Sequence, residues 1–176
     1  MEQQINIEKY NPNWISEFNQ EKMRIMTVLH GHRLYIEHIG STAIHAKPVV
    51  DILAVVRSID RVIHFNDKME RVGYKARGEN GIAGRRFFSK GGDERSHHVH
   101  MFQTGHEDIA RHLAFRDYML AHPHEAERYS QLKLRLAAEF PIDMEEYVNG
   151  KNEFIKVIDE RAKRWVIRAN GDRDVL

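Results

Sequence analysis

Gly40-Ser41, Asp51 and the pair His98 and His100 are the residues whose types and spacing could do chemistry. Ile36-Glu37-His38-Ile39 reads as a strand that ends at Gly40-Ser41, and a second, apolar strand opens with Asp51. Glycine lets a backbone come close to a polyphosphate. The N–H groups of a turn through Gly40, Ser41 and Thr42, with the Ser41 hydroxyl, can cradle anionic oxygens. Asp51 on the neighbouring strand could hold the Mg2+ or Mn2+ that neutralises them. Read as structure alone, Gly-Ser is also a common way to cap a helix or close a turn.

His98-Val99-His100 places two imidazoles on one face of a strand, about 7 Å apart along it. With Asp51 they could form a site of two His and one carboxylate. Imidazole suits Zn2+ better than Mg2+. His100 could equally serve as a general base, because its ordinary titration lies near neutrality. The plainer alternative is a polar sheet face hydrogen-bonded to a helix. Leu53, two residues past Asp51 and on the same strand face, is no second acid.

Cations surround these positions. Lys75, Arg77, Arg85, Arg86, Lys90 and Arg95 outnumber the acids Glu79, Asp93 and Glu94 in the middle segment. Arginine offers a planar fork to phosphate. Arg86, beside Phe87-Phe88 at a strand start, is the expected phosphate holder. Further along, Lys133 follows Tyr129 and Lys151 follows Tyr147 at helical i,i+4 spacing, so each pair shares a helix face.

Ordered matches along most of the chain resemble the GrpB family. They begin with Tyr10-Asn11-Pro12-Asn13-Trp14 and continue through Gly40-Ser41-Thr42-Ala43, Lys47-Pro48 and Asp51-Ile52. His98-Val99-His100, Leu113-Ala114-Phe115-Arg116-Asp117-Tyr118 and Ala121-His122-Pro123 follow, then Tyr129, Leu132-Lys133, Tyr147 and Lys151. The resemblance implies a nucleotidyltransferase-like fold. It further implies that Lys133 and Lys151 face inward and close on phosphates. Such enzymes use paired carboxylates to hold two metals, one activating the attacking hydroxyl and one stabilising the leaving pyrophosphate. This chain departs twice: Leu53 replaces the second acid, and the connector after Ser41 is shorter than the usual family version.

The elements that must position these groups are legible as periodicity. Asn11-Pro12 opens a helix whose apolar stripe is Trp14, Phe18, Met23, Ile25, Met26 and Leu29. Leu34–Ile39 and Val49–Val56 read as strands. A helix capped by Ser58 carries Ile59, Val62, Ile63, Met69 and Val72. Arg86–Ser89 and His97–Phe102 read as a β-pair joined at Gly91-Gly92-Asp93. Helices are expected over roughly 107–121, 123–139 and 143–169.

The 176 residues, 41% hydrophobic and 30% charged with net charge +1, suit one soluble domain and give no overall pull toward nucleic acid. The absence of Cys excludes disulfides and thiolate chemistry. The polar start and lack of a long apolar run lead to a cytoplasmic, non-membrane expectation. No long basic stripe with interleaved aromatics points to RNA or DNA as a partner. The expected fold is α/β (α+β): a mixed-sheet, nucleotidyltransferase-like half over 1–104, a helical half over 105–170 and a frayed tail over 171–176, all in one domain. The expected ligand is a nucleotide or other phosphorylated small molecule with a divalent metal, and the expected reaction is transfer of a nucleoside monophosphate to a small acceptor. Two alternatives stand beside it: a non-catalytic nucleotide-binding module, and a metal-dependent hydrolase centred on His98, His100 and Asp51.

Overall fold

Val50–Val56 is almost wholly aliphatic, and such a run is stable only as an interior strand covered on both faces. A computed structural model of the protein describes residues 4–40, 49–92 and 94–171 and places this run as expected. The strands are β1 (Arg33–Ile39), β2 (Val50–Val56), β3 (Tyr74–Ala76), β4 (Arg85–Lys90) and β5 (His97–Gln103). They form a mixed sheet in the order β1-β2-β5-β4-β3. β2 and β5 run parallel, and the other neighbours are antiparallel. The helices are α1 (Asn13–Val28), α2 (Asn66–Arg71), α3 (Glu107–Ala121), α4 (Pro123–Glu139) and α5 (Met144–Gly171), with a 3-10 helix at Asp60–Phe65. The tail past Gly171 lies outside the described residues.

Two compact units share the chain. Among the described residues, one unit holds 11–40 and 49–109, and the other holds 4–10 and 110–171. The sheet unit has Ile52, Leu53, Ala54, Val55, Val56, Val99, Met101 and Phe102 with no exposed surface. In the helical unit, Tyr118, Met119, Ala126, Tyr129, Ile158 and Ala162 form a core, and the Tyr129 and Phe154 rings stack at 5.2 Å.

Two helices differ from expectation. In α1 the buried positions are Trp14, Phe18, Glu21, Ile25 and Val28, while Met23 is 64% exposed. A turn of 3.6 residues carries the inward line from Phe18 through position 21 to Ile25, so Met23 falls outside it. The stretch after Ser58 is split into the 3-10 helix and α2, and Ile63 is exposed. Asn66 and Asp67, residues that favour helix starts over helix interiors, stand where the new helix begins.

Candidate functional site

Strand alternation decides which side chains meet. Parallel register sets Asp51 beside His98 and Leu53 beside His100. Antiparallel register sets Ser89 beside His98, Phe87 beside His100 and Arg85 beside Phe102. Side chains at paired positions share a face, so Asp51, Leu53, Ser89, Phe87, Arg85, His98 and His100 line one side of the sheet. Glu37 pairs with Leu53 from β1 and belongs to the same side.

Asp51 is the centre of this face. Its Oδ1 lies 3.3 Å from Nδ1 of His98 and 3.4 Å from Nε2 of His100, and its side chain is 32% exposed. Its other oxygen, Oδ2, faces Gly40. A Cβ on Gly40 would stand 2.9 Å from it, and Gly40 has φ +78, in the left-handed region. The glycine is therefore required twice, by the backbone angle and by the approaching carboxylate. Burial alone would push the Asp51 carboxyl up. Hydrogen bonds from His100 and His98 outweigh it and hold the carboxyl well below its ordinary value of 3.8.

The two imidazoles are held differently. Nη1 of Arg85 lies 3.3 Å from Nδ1 of His100. Arg85 is 5% exposed. It also donates to the Glu79 and Asn80 carbonyls at 3.0 and 2.5 Å, and its guanidinium stacks over Phe87 at 4.9 Å. The Phe87 ring packs 5.1 Å from both imidazoles. Nε2 of His98 is buried and has no hydrogen-bond partner. Beyond His98, the exposed Arg77 donates from Nε to the Ser89 hydroxyl at 3.2 Å.

The expected site residues are thus only partly assembled. Asp51, His98 and His100 come together, with Gly40 against them. Ser41 and Thr42, like the shortened connector, lie outside the described residues. Arg86 does not join this face. It pairs with Met101, so alternation turns it to the opposite side, where its contacts are the Arg85 carbonyl at 3.0 Å and Glu79 at 3.9 Å. Arg85 and Arg77 stand on the Asp51 face instead. The signal for Arg85 was parity: once β4 is paired with β5, odd positions of β4 face His98 and His100. Lys133 and Lys151 belong to the helical unit. Each sets its ammonium over the tyrosine one turn earlier, at 4.6 and 4.2 Å, and Lys133 is 3% exposed. Burial pushes Tyr147 up to about 12.

Leu53, where the second acid of a two-metal site would stand, has no exposed surface. Among the described residues no group of three or more His, Asp or Glu side chains is placed to hold a metal ion, and no helix is long and apolar enough to cross a membrane.

A family model described as GrpB protein matches residues 4–161. The chain belongs to the GrpB family. A relative described as UPF0157 protein YqkA, from Bacillus subtilis, is 49% identical over 164 residues, covering 92% of this chain and 48% of that one. This GrpB-family chain therefore spans about half the length of that relative. The crystal structure of conserved protein GrpB from Enterococcus faecalis has a TM-score of 0.87 at 38% identity, covering 91% of this chain and 99% of that one. The structure of Cid1 in complex with the UTP analogue UMPNPP, with a TM-score of 0.43 and 13% identity, covers 69% of this chain and 43% of that one and is too distant to extend its fold or ligand here.

Proposed function

We propose that the Asp51 face of this GrpB-family protein binds a phosphorylated small molecule, a nucleotide in the first instance, as a ligand-binding module. The observation that carries this reading is the row Arg77, Ser89, His98, Asp51 across one sheet face. The exposed Arg77 fork offers terminal donors to phosphate, and Ser89 holds it in place through Nε. Beside it, the ionised and part-exposed Asp51 can take hydrogen bonds from hydroxyl or amino groups. That mix of donors and acceptors matches a nucleotide or sugar phosphate better than an apolar ligand.

Nucleoside monophosphate transfer is a second reading, and one observation favours it: Glu37 stands opposite Leu53 on the same face. A transfer reaction would need to recruit Glu37 as its second acid. Pyrophosphate release that depends on both Asp51 and Glu37 would establish that reading over the first.

The test is thermal melting of the full chain with nucleotides and sugar phosphates, with Mg2+ or Mn2+ supplied as the phosphate counter-ion. A ligand at a hundredfold its Kd adds about 2.7 kcal/mol, a rise of several degrees. At least one nucleotide should produce it, and Arg77→Gln and Asp51→Ala should abolish it. No rise with any phosphorylated compound, or an equal rise in both variants, overturns the reading.

A further inference from the structure

The donor geometry around Asp51 says which kind of ligand the cluster can accept. A guanidinium carries only donors and cannot give up its proton in a protein. Arg85 therefore donates into Nδ1 of His100, which lies 3.3 Å away. That contact places the proton of a neutral His100 on Nε2, and Nε2 faces Oδ1 of the ionised Asp51 at 3.4 Å. His100 is thus a donor to Asp51. To bind a metal through Nε2, it would have to carry its proton on Nδ1 and hand it to a carbonyl or carboxylate, as metal-ligating histidines do. Arg85 occupies that position with a donor instead.

His98 has the opposite arrangement. Its Nδ1 donates to Asp51 at 3.3 Å, which leaves a lone pair on Nε2, buried and without a partner. An unmet buried acceptor is costly, and its burial keeps it from a ligand, so the acceptor left for an arriving O–H or N–H donor is the part-exposed Asp51 carboxylate.

From this we infer that Arg85 is a tautomer lock. It keeps the Asp51, His98 and His100 cluster free of metal, so that the part-exposed Asp51 carboxylate itself, and not a bound cation, recognises a ligand hydroxyl or amine. The two-His, one-carboxylate metal centre expected from residue types does not fit this donor set. The inference rests on the nucleotide-binding reading only for the identity of the donor that reaches Asp51.

Zn2+ is the probe, measured by competition with a chromophoric chelator on the full chain. Asp51→Asn serves as the baseline for the scattered surface histidines. The wild type should bind no more Zn2+ than Asp51→Asn. Arg85→Gln offers His100 a carbonyl acceptor, so it should gain one Zn2+ per chain, and adding Asp51→Asn to it should remove that gain. A wild type that binds one more Zn2+ than Asp51→Asn overturns the inference, and so does a folded Arg85→Gln that gains none. Should Arg85→Gln fail to fold, long-range 15N–1H spectra of the wild-type histidines decide the matter. His100 should carry its proton on Nε2 and His98 on Nδ1, unchanged by Zn2+; a His100 proton on Nδ1 refutes the lock. Neither readout uses a nucleotide, so the lock and the nucleotide reading can fail separately.

Discussion

The two faces of the sheet each carry a carboxylate surrounded by nitrogen and hydroxyl donors, yet one cluster is closed and the other open. On the α1 face, Glu21 is 3% exposed. Its Oε1 meets Lys90 Nζ at 2.7 Å and pairs with Arg24, and its Oε2 accepts from the Tyr74 hydroxyl at 2.8 Å. Both oxygens are satisfied at the short distances of charge-assisted bonds. Lys90 also lies 5.2 Å over the Tyr74 ring. On the other face, Asp51 is a third exposed, its two imidazole contacts are 3.3 and 3.4 Å long, and His98 Nε2 has no partner. The lesson is one of completeness. A satisfied buried network specifies packing, while a half-satisfied one at the surface is stable enough to persist and still has bonds to give to a ligand.

The comparison is most severely tested at Glu21. Removing one partner of a buried charged network leaves the others uncompensated, at a cost of about 3–5 kcal/mol. Glu21→Ala strands the Lys90 ammonium and the Tyr74 hydroxyl, whose own ionisation is pushed well above its ordinary value by burial and by Glu21. Urea unfolding should show a loss of about that size, with any nucleotide affinity of the surviving folded protein unchanged. A loss under about 1 kcal/mol would mean that the closed face is no more than a surface ion pair.

How far these clusters are legible in the sequence follows from which rule places each residue. Strand and helix positions follow local periodicity, and so β2, β5 and the three long helices of the second unit stand where apolar spacing puts them. His98 and His100 share a face by the two-residue repeat alone. Arg85 against Arg86 could not be decided that way, because parity relative to the histidines depends on the β4–β5 register, a non-local fact. Glu21 was hidden for a different reason. An acid at an inward position reads as an interruption of the stripe, so Met23 stands in for it until α1 is seen against Lys90 and Tyr74. Residues 41–48, which carry Ser41 and Thr42 of the expected phosphate turn, lie outside the described residues.

A smaller effect separates the steric role of Gly40 from its backbone role. Alanine at φ +78 costs about 1–2 kcal/mol for the left-handed angle alone. The added Cβ also meets Asp51 Oδ2 at 2.9 Å and must push it away from His98 and His100. Gly40→Ala should therefore cost less in an Asp51→Ala background than in the wild type, a coupling of at least about 0.5 kcal/mol. Strict additivity would show that Asp51 swings aside freely and that the open face is looser than its contacts suggest.

The smallest expected differences lie in the acid limb of stability, and they rank the two faces by pH. A carboxylate whose folded value is lowered contributes stability above its ordinary value and loses it as pH falls through the folded one. For Glu21, burial opposes ionisation but the bonds from Lys90 and Tyr74 win, so its contribution begins to fade below its ordinary 4.5. Asp51 follows the same sign but starts lower, below 3.8. His97 sits on the closed face, where Lys90 pairs with it in register. Burial lowers its pKa below 6.5, so the unfolded chain takes up that proton first and stability falls as soon as pH drops past 6.5. The closed face should thus govern the start of the descent and Asp51 its last part. Urea midpoints at successive pH values should slope below 6.5 in the wild type and flatten there in His97→Gln. The next portion of the slope should weaken in Glu21→Gln, and only the last should change in Asp51→Asn. If Asp51→Asn instead removes the slope near pH 6, then titration of the open face, and not of the closed one, controls the stability of the sheet unit.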